Sequence, residues 1–528
     1  MSCDFDVIII GSGPAGVSAA FPLLHAGLRV AMVDGGGAPG VAPPAREFLS
    51  VRQEDPDQWK WMVGKDFHAL RMRDAVSPKF RAPTQSFAFD GFAAANKVEA
   101  VDFIAAGSMA IGGLSNAWGC GVARFSASEA QLPFPVSQLD ASYEAVARRI
   151  GISGAVADDL SDYFGLDGLA GPALPADAAH SLLLQRYAGS RVHLRERGFR
   201  MGRSRVAVLS QEQEGRQACN LSGNCLFGCY RGAMYAATHD LPALRRFGNF
   251  SWKPGRVVEG IERDGGQWAV KGPVSGPEGH LLRAPRLVVA AGTLATSGLV
   301  LRALGHHRAV PLLSSPTAAF LLWLPALLGA GRKPGFGLGQ LSFTLALHGG
   351  TTAFGSTFAT TGLPVSEFAR HMPLGRRAAM QVLHHLLDSC VVGNLFLPGN
   401  LSEAHVQLTT AGELRVGGRY SAAVAPLMTE ASAKLGQAWR KLGGWVLPGS
   451  FTTGRPGGDI HYAGTLPMAA NPGPGQTSVQ GEVFGLQNVF VVDGACLPAL
   501  PEKSHTLTLM ANADRIGKLL ASTTHPAS

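Results

Sequence analysis

FDVIIIGSGPAGVSAAFPLLHAGLRVAMVDGG, residues 5–36, decides the fold. Val7 to Ile10 form a short unbroken apolar run, the pattern of a strand buried on both faces of a parallel sheet. Gly11, Gly13 and Gly16 then stand at the spacing G-x-G-x-x-G. The first permits a tight turn, the second lets backbone approach a pyrophosphate, and the third lets helix and strand pack closely. Ala15 sits within this turn, and the segment from Val17 to Ala26 is helical in composition, so its N-terminus offers free N–H groups to phosphate oxygens. The second strand, LRVAMVD, ends in Asp34, 18 residues beyond Gly16, where a carboxylate can accept hydrogen bonds from a ribose diol. No arginine stands beside Asp34, which argues against a 2′-phosphate. This element leaves NAD and FAD both open.

The rest of the chain is long and sparsely charged. At 528 residues it holds about two to four domain-sized units. Only 16% of residues are charged, against about 25% in an average soluble protein, so much of the chain is buried or touches something apolar. The net charge of +8 comes from scattered basic residues, not from a basic run interleaved with aromatics, and nucleic acid is not an expected partner. Seven cysteines are odd in number and too few for a disulfide scaffold. The N-terminal apolar run leads straight into the glycine turn and has no charged n-region before it, so the expected location is cytoplasmic. Residues 309–366 carry only Arg332 and Lys333 as charges, and AAFLLWLPALLGAG within them is too short for a membrane span. Two readings stay open for this segment: buried substrate-domain structure, or an apolar surface for peripheral membrane or lipid-like substrate contact.

Strand-and-turn elements recur far downstream. RLVVAAGTLATSGLVLRALG (286–305) reads as a buried strand, a small-residue turn at Ala291 and Gly292, and a helix. NVFVVDGACLPAL (488–500) is another apolar strand, ending at Asp493. NFSWKPGRVVEGIERDGGQWAVKG reads as two or three antiparallel strands turning at Pro254–Gly255 and Gly265–Gly266. The expected architecture is an α/β, Rossmann-type nucleotide domain assembled from 1–45, 100–125, 215–310 and 455–528. An α+β substrate domain built on an antiparallel sheet would come from 46–99, 126–214 and 311–454.

Taken together, IGGLSNAWGCGV (111–122), VVAAGTLATSGLVL (288–301), HYAGTLPM (461–468) and VFVVDGACLPALPEKSHTLTLMANADRIGKLL (489–520) resemble the glucose–methanol–choline (GMC) flavin oxidoreductases. The likeness covers most of the nucleotide domain and fades in the substrate domain. It implies FAD, and a fold like that of these enzymes and of p-hydroxybenzoate hydroxylase. Gly112 and Gly113 would let backbone pass close to the flavin, with Ser115 and Asn116 as polar contacts. Val258 matches the position whose backbone meets the adenine. Ala291 and Gly292 form the second small-residue turn at the cofactor, and Asp493 and Gly494 face its ribityl and phosphate part, with Thr506 also at the cofactor. Some relatives attach FAD through a histidine where this chain has Ala117, so non-covalent FAD is expected.

The resemblance also implies an active-site pair, His461 and His505. Oxidation of an alcohol, possible substrates being a sugar, a glycoside or a hydrophobic alcohol, would pass hydride to the flavin while a neutral imidazole takes the hydroxyl proton. His505 is the expected base and His461 its partner on the same oxygen, with the roles exchangeable. Oxygen, a quinone or a protein could be the electron acceptor. The same scaffold also supports lyase and decarboxylase chemistry, and a non-catalytic FAD-binding protein is the remaining alternative. Cys219, Cys225 and Cys229 form a C-x5-C-x3-C array that leaves three readings open: a structural turn, an iron–sulfur cluster like that of some bacterial relatives, or a disulfide.

Overall fold

The computed structural model describes residues 5–64, 66–71, 77–273, 280–369, 372 and 374–524. Its first layer is a five-stranded parallel sheet in the order Val489–Val491, Arg286–Val289, Val7–Ile10, Val30–Val33, Phe250–Lys253. Every neighbouring pair in it is parallel. Val7 to Ile9 are completely buried because the sheet is covered on both faces, which is why the sequence there is apolar without alternation. The helix Pro14–His25 packs against the C-terminal helix Thr506–Thr524.

One expected hairpin is not there. Phe250–Lys253 is the fifth parallel strand, hydrogen-bonded to Val30–Val33, and Pro254–Gly255 carries the chain out of the sheet rather than back along it. The antiparallel strands begin only at Gly260–Asp264, which pairs with Gln267–Lys271 and then His280–Ala284. Gly265 and Gly266 both take positive φ, the requirement of a two-residue hairpin turn that matches strand twist.

A second sheet has the order Tyr462–Ala463, Val310–Ser314, Ser402–Leu408, Leu414–Tyr420, Val98–Val101. Its short edge strand fixes the backbone beside His461, since Leu313 and Ser314 pair with Ala463 and Tyr462. The third large sheet is antiparallel and runs Trp445–Val446, Thr317–Trp323, Cys390–Phe396, Thr352–Ala359, Leu341–Ala346, Phe199–Arg203. Its strands alternate in period 2. Ala318, Phe320, Leu322, Phe343 and Leu395 point one way, onto the helices Ala178–Glu196 and Val424–Lys441, and form a core with Leu183 and Trp439. Of the intervening residues, Ser342, Ser356, Asn394 and Phe396 line a cavity, while Leu321 and Trp323 pack on a smaller apolar cluster with Leu383 and Leu387. The low charge of 309–366 follows from this placement, because both faces of its strands are withdrawn from bulk water. Among the described residues no helix is long and apolar enough to cross a membrane.

Candidate active site

A single cavity of ≈ 520 Å³ runs from the parallel sheet to the antiparallel one. At the sheet end, Gly11 has φ +108° and a Cβ there would lie 2.3 Å from the Ala290 carbonyl oxygen, so the strand Arg286–Val289 passes directly over the turn. Gly16 is closed in the same way by the Gly11 carbonyl at 2.0 Å. Gly13 differs: a Cβ there would meet nothing within 4 Å. The helix that follows has no side-chain cap and Pro14 in its first turn, and Pro14 and Ala15 line the cavity, so its leading N–H groups are open to a ligand there. Asp34 stands at the end of this space, 7% exposed, accepting from Gly36 N at 2.8 Å and Trp252 Nε1 at 3.0 Å. Arg256 also lines this end of the cavity, reaching it from a distant part of the chain that inspection of the residues around Asp34 does not reveal.

Of the residues expected at the site, Gly11, Gly13, Ala15, Asp34, Gly113, Ser115 and Val258 line the cavity, as do Ala291, Gly292, His461, Asp493, Gly494, His505 and Thr506. Gly16, Gly112 and Asn116 are not among the lining residues. Gly16 packs helix against strand, as its spacing suggested. Gly112 takes φ +82° and donates its N–H to Ser12 Oγ at 3.0 Å, which holds the loop onto the first turn. Asn116, expected to offer a polar contact, is turned inward, with Nδ2 donating to the carbonyls of Ile111 and Gly113, each at 2.8 Å. Ser115 is likewise engaged with its own surroundings, donating to Gly112 O and accepting from Ala237 N. Asp493 is buried and accepts from Thr296 Oγ1, Gly292 N and Ala495 N, while burial pushes its carboxyl above the usual range.

At the far end the two histidines meet. Their ring centroids are 5.3 Å apart at 77°, edge to face. His505 directly precedes the helix Thr506–Thr524, and His461 precedes the strand Tyr462–Ala463. Burial lowers His461 to about 4, and burial together with the neighbouring ring lowers His505 to about 3, so both imidazoles are neutral at physiological pH. In each ring Nδ1 is buried and without a hydrogen-bond partner, which leaves Nε2 as the nitrogen available to a ligand.

Four features of the cavity carry no local sequence motif. Asp459, two residues before His461, has a fully shielded side chain whose Oδ2 lies 3.9 Å from His461 Nδ1. Burial pushes its carboxyl up to about 7, against the hydrogen bonds from Ser314 Oγ at 3.0 Å and Ser315 N at 2.8 Å. Phe396 lies against His461 with centroids 5.1 Å apart. Lys79 is 8% exposed, lines the cavity and donates to the Trp118 carbonyl. Arg205, 1% exposed, is held by Asp158 and Asp167.

The cysteine segment does not behave as a ligand set. Cys219, Cys225 and Cys229 are free thiols, and burial pushes Cys219 and Cys225 upward. Among the described residues no group of three or more His, Cys, Asp or Glu side chains is placed to hold a metal ion. Cys219 Sγ instead accepts from Leu221 N at 3.4 Å inside a tight turn.

Comparisons with known proteins agree with this geometry. Residues 427–513 match the family model described as GMC oxidoreductase, and residues 5–105 match that described as pyridine nucleotide-disulphide oxidoreductase. Paromamine 6′-oxidase of Streptomyces fradiae is 25% identical over 318 residues, which are 57% of this chain and 50% of that protein. The chain thus spans about half the length of the curated relative it matches. Among solved structures, pyridoxine 4-oxidase from Mesorbium loti aligns over 99% of this chain and 100% of its own with a TM-score of 0.59 at 15% identity. Formate oxidase from Aspergillus oryzae RIB40, in a variant form, aligns over 99% and 98% with a TM-score of 0.60 at 13% identity. These two likenesses are of fold. The dinucleotide cradle stands at one end of the cavity and the segment matched by the GMC oxidoreductase model supplies His461 and His505 at the other, which supports an FAD-binding flavoprotein of GMC type.

Proposed function

We propose that the protein oxidises a CH–OH group of a small molecule to a carbonyl, with FAD held non-covalently. The observation that carries this reading is the pair of neutral imidazoles, edge to face at 5.3 Å, at the end of a cavity whose other end is a dinucleotide cradle. The names of two matched proteins, paromamine 6′-oxidase and pyridoxine 4-oxidase, support it. Non-covalent attachment is supported by Ala117, a side chain that cannot bond to a flavin and that lines the cavity. When bound, FAD supplies the two-electron acceptor for the substrate C–H bond.

The chain's own residues handle the proton and the orientation. One Nε2 accepts the hydroxyl proton while the other ring holds the same oxygen, which fixes the C–H bond relative to the cofactor. A neutral ring is needed for this, and burial keeps both neutral. The ring that takes the proton becomes a cation in a desolvated place and needs an anion nearby. Nδ1 of neither ring has a hydrogen-bond partner, and what supports His461 for that role, rather than the His505 expected from sequence, is the Asp459 carboxyl 3.9 Å from its Nδ1, within reach of a charge that forms there. Asp459 thereby acts as a positioning residue, favouring the tautomer with Nδ1–H and leaving Nε2 as the acceptor.

Anaerobic mixing of the yellow holoenzyme with alcohols tests the reading. A substrate alcohol bleaches the flavin in the wild type, and His461→Ala and His505→Ala stay yellow but bleach about 10²–10⁴-fold more slowly. Variants that bleach at the wild-type rate would contradict it.

A further inference from the structure

We propose that the substrate is a neutral alcohol with a flat apolar body and one uncharged hydrogen-bonding group at its far end; the inference rests on the oxidation reading above and names its substrate class. The cavity wall beside His461 is one face of the antiparallel sheet, and its registers arrange that face in rows. Phe396 pairs with Phe354, and Val392 pairs with Phe358. Between these two apolar rows runs a polar one, in which Asn394 pairs with Ser356 and Ser356 with Ser342.

Each row has a distinct task. Phe396 lies against His461, so an aryl or similar body placed along the Phe396–Phe354 row has its reacting carbon at the histidines. The polar row is two residues further along each strand, roughly 7 Å away. Its groups are all neutral. Ser342 Oγ is 2.8 Å from Ser204 Oγ and 3.1 Å from Ser356 Oγ, a chain of hydroxyls that can donate or accept at its end. Asn394 Oδ1 accepts from Ser356 N at 2.8 Å, which pins the amide and leaves its N–H groups for a ligand acceptor.

A cationic substrate finds no partner here. Among the described lining residues the carboxylates are Asp34, Asp459 and Asp493. Asp34 belongs to the opposite end, and Asp493 and Asp459 are enclosed and hydrogen-bonded by their own neighbours. The basic groups that line the cavity are Arg205, neutralised by Asp158 and Asp167, and Lys79, whose amine burial pushes below the usual range. A substrate ammonium would therefore be desolvated with no anion free to pair with it.

A matched pair of probes tests this on the holoenzyme: 4-(hydroxymethyl)benzamide, neutral, and 4-(aminomethyl)benzyl alcohol, cationic and of similar size. Binding is read from perturbation of the oxidised flavin spectrum, and turnover from anaerobic bleaching. The neutral probe is expected to bind at least about 100-fold more tightly than the cationic one. Asn394→Asp, which keeps the acceptor for Ser356 N but adds a charge, narrows that gap by about tenfold or more. Equal or tighter binding of the cation, or preferential bleaching by paromamine, overturns the substrate class while leaving oxidation standing. Tight binding of the neutral probe without bleaching, in enzyme that dithionite reduces, supports the class and overturns oxidation of this alcohol type. Failure of both probes to bind overturns the class.

Discussion

The two ends of the cavity are built from different materials. The cofactor end is backbone: Gly11 crossing under the Ala290 carbonyl, Gly13 open to a ligand, and an uncapped helix start. The end proposed for substrate is side chain, with Phe396, Asn394 and Ser356 projecting from a sheet whose other face packs on helices. A backbone surface tolerates almost no substitution, because the shape itself binds. A side-chain surface can be rewritten one residue at a time while the sheet stays paired. This difference lets a family keep its cofactor and change its substrate.

Substitutions can break that contrast, beginning with the largest effect. Gly11→Ala places a methyl 2.3 Å from backbone at φ +108°, so it should cost at least about 3 kcal/mol and leave little soluble yellow protein, as read by urea unfolding and flavin content. Near-wild-type unfolding would mean that the strand crossing is looser than described. Asp459→Asn should slow flavin reduction about tenfold at pH 8. Its sign follows from a carboxyl raised to about 7: the anion forms as pH rises, so the wild-type rate should climb through pH 7 and the variant's should not. His461, with its value near 4, is neutral across that range and adds no limb of its own. A wild-type profile flat from pH 6 to 8 would remove Asp459 from the mechanism.

Gly13→Ala sharpens the comparison from the other side. Its φ of −69° suits alanine and its Cβ meets nothing, so the apoprotein should unfold within about 0.5 kcal/mol of wild type while FAD binds about tenfold more weakly. Equal FAD affinity would show that the space over Gly13 is not the cofactor's. The smallest effect is expected at the side-chain wall. Phe396→Leu should raise KM for an alcohol about threefold with flavin content unchanged. A loss of flavin in that variant would join the two ends that are described here as separable.

The cofactor end was legible in the sequence because its chemistry demands glycine at fixed spacing, and spacing survives as a string. The histidines were legible only through the resemblance of the segments around HYAGT and PEKSHT to the GMC enzymes, since nothing in a lone histidine marks it for a site. Phe250–Lys253 was misread because a four-residue apolar stretch before Pro254–Gly255 suits a hairpin as well as a parallel strand, and only pairing with Val30–Val33 decides. Asp459 stood in plain sight two residues before His461, but an acid in a glycine-rich turn looks like a surface cap until burial is known. Arg256, Lys79 and Arg205 reach the cavity from segments with no motif, and the Asn394–Ser356–Ser342 row exists only through strand register.

The central claim is that a bound isoalloxazine lies at the His461–His505 pair. A crystal structure of the oxidised holoenzyme tests it most directly. The account predicts the ring's reactive edge in contact with both imidazoles and its pyrophosphate over Gly13; a ring bound away from either histidine, or the two histidines drawn apart around it, would contradict it.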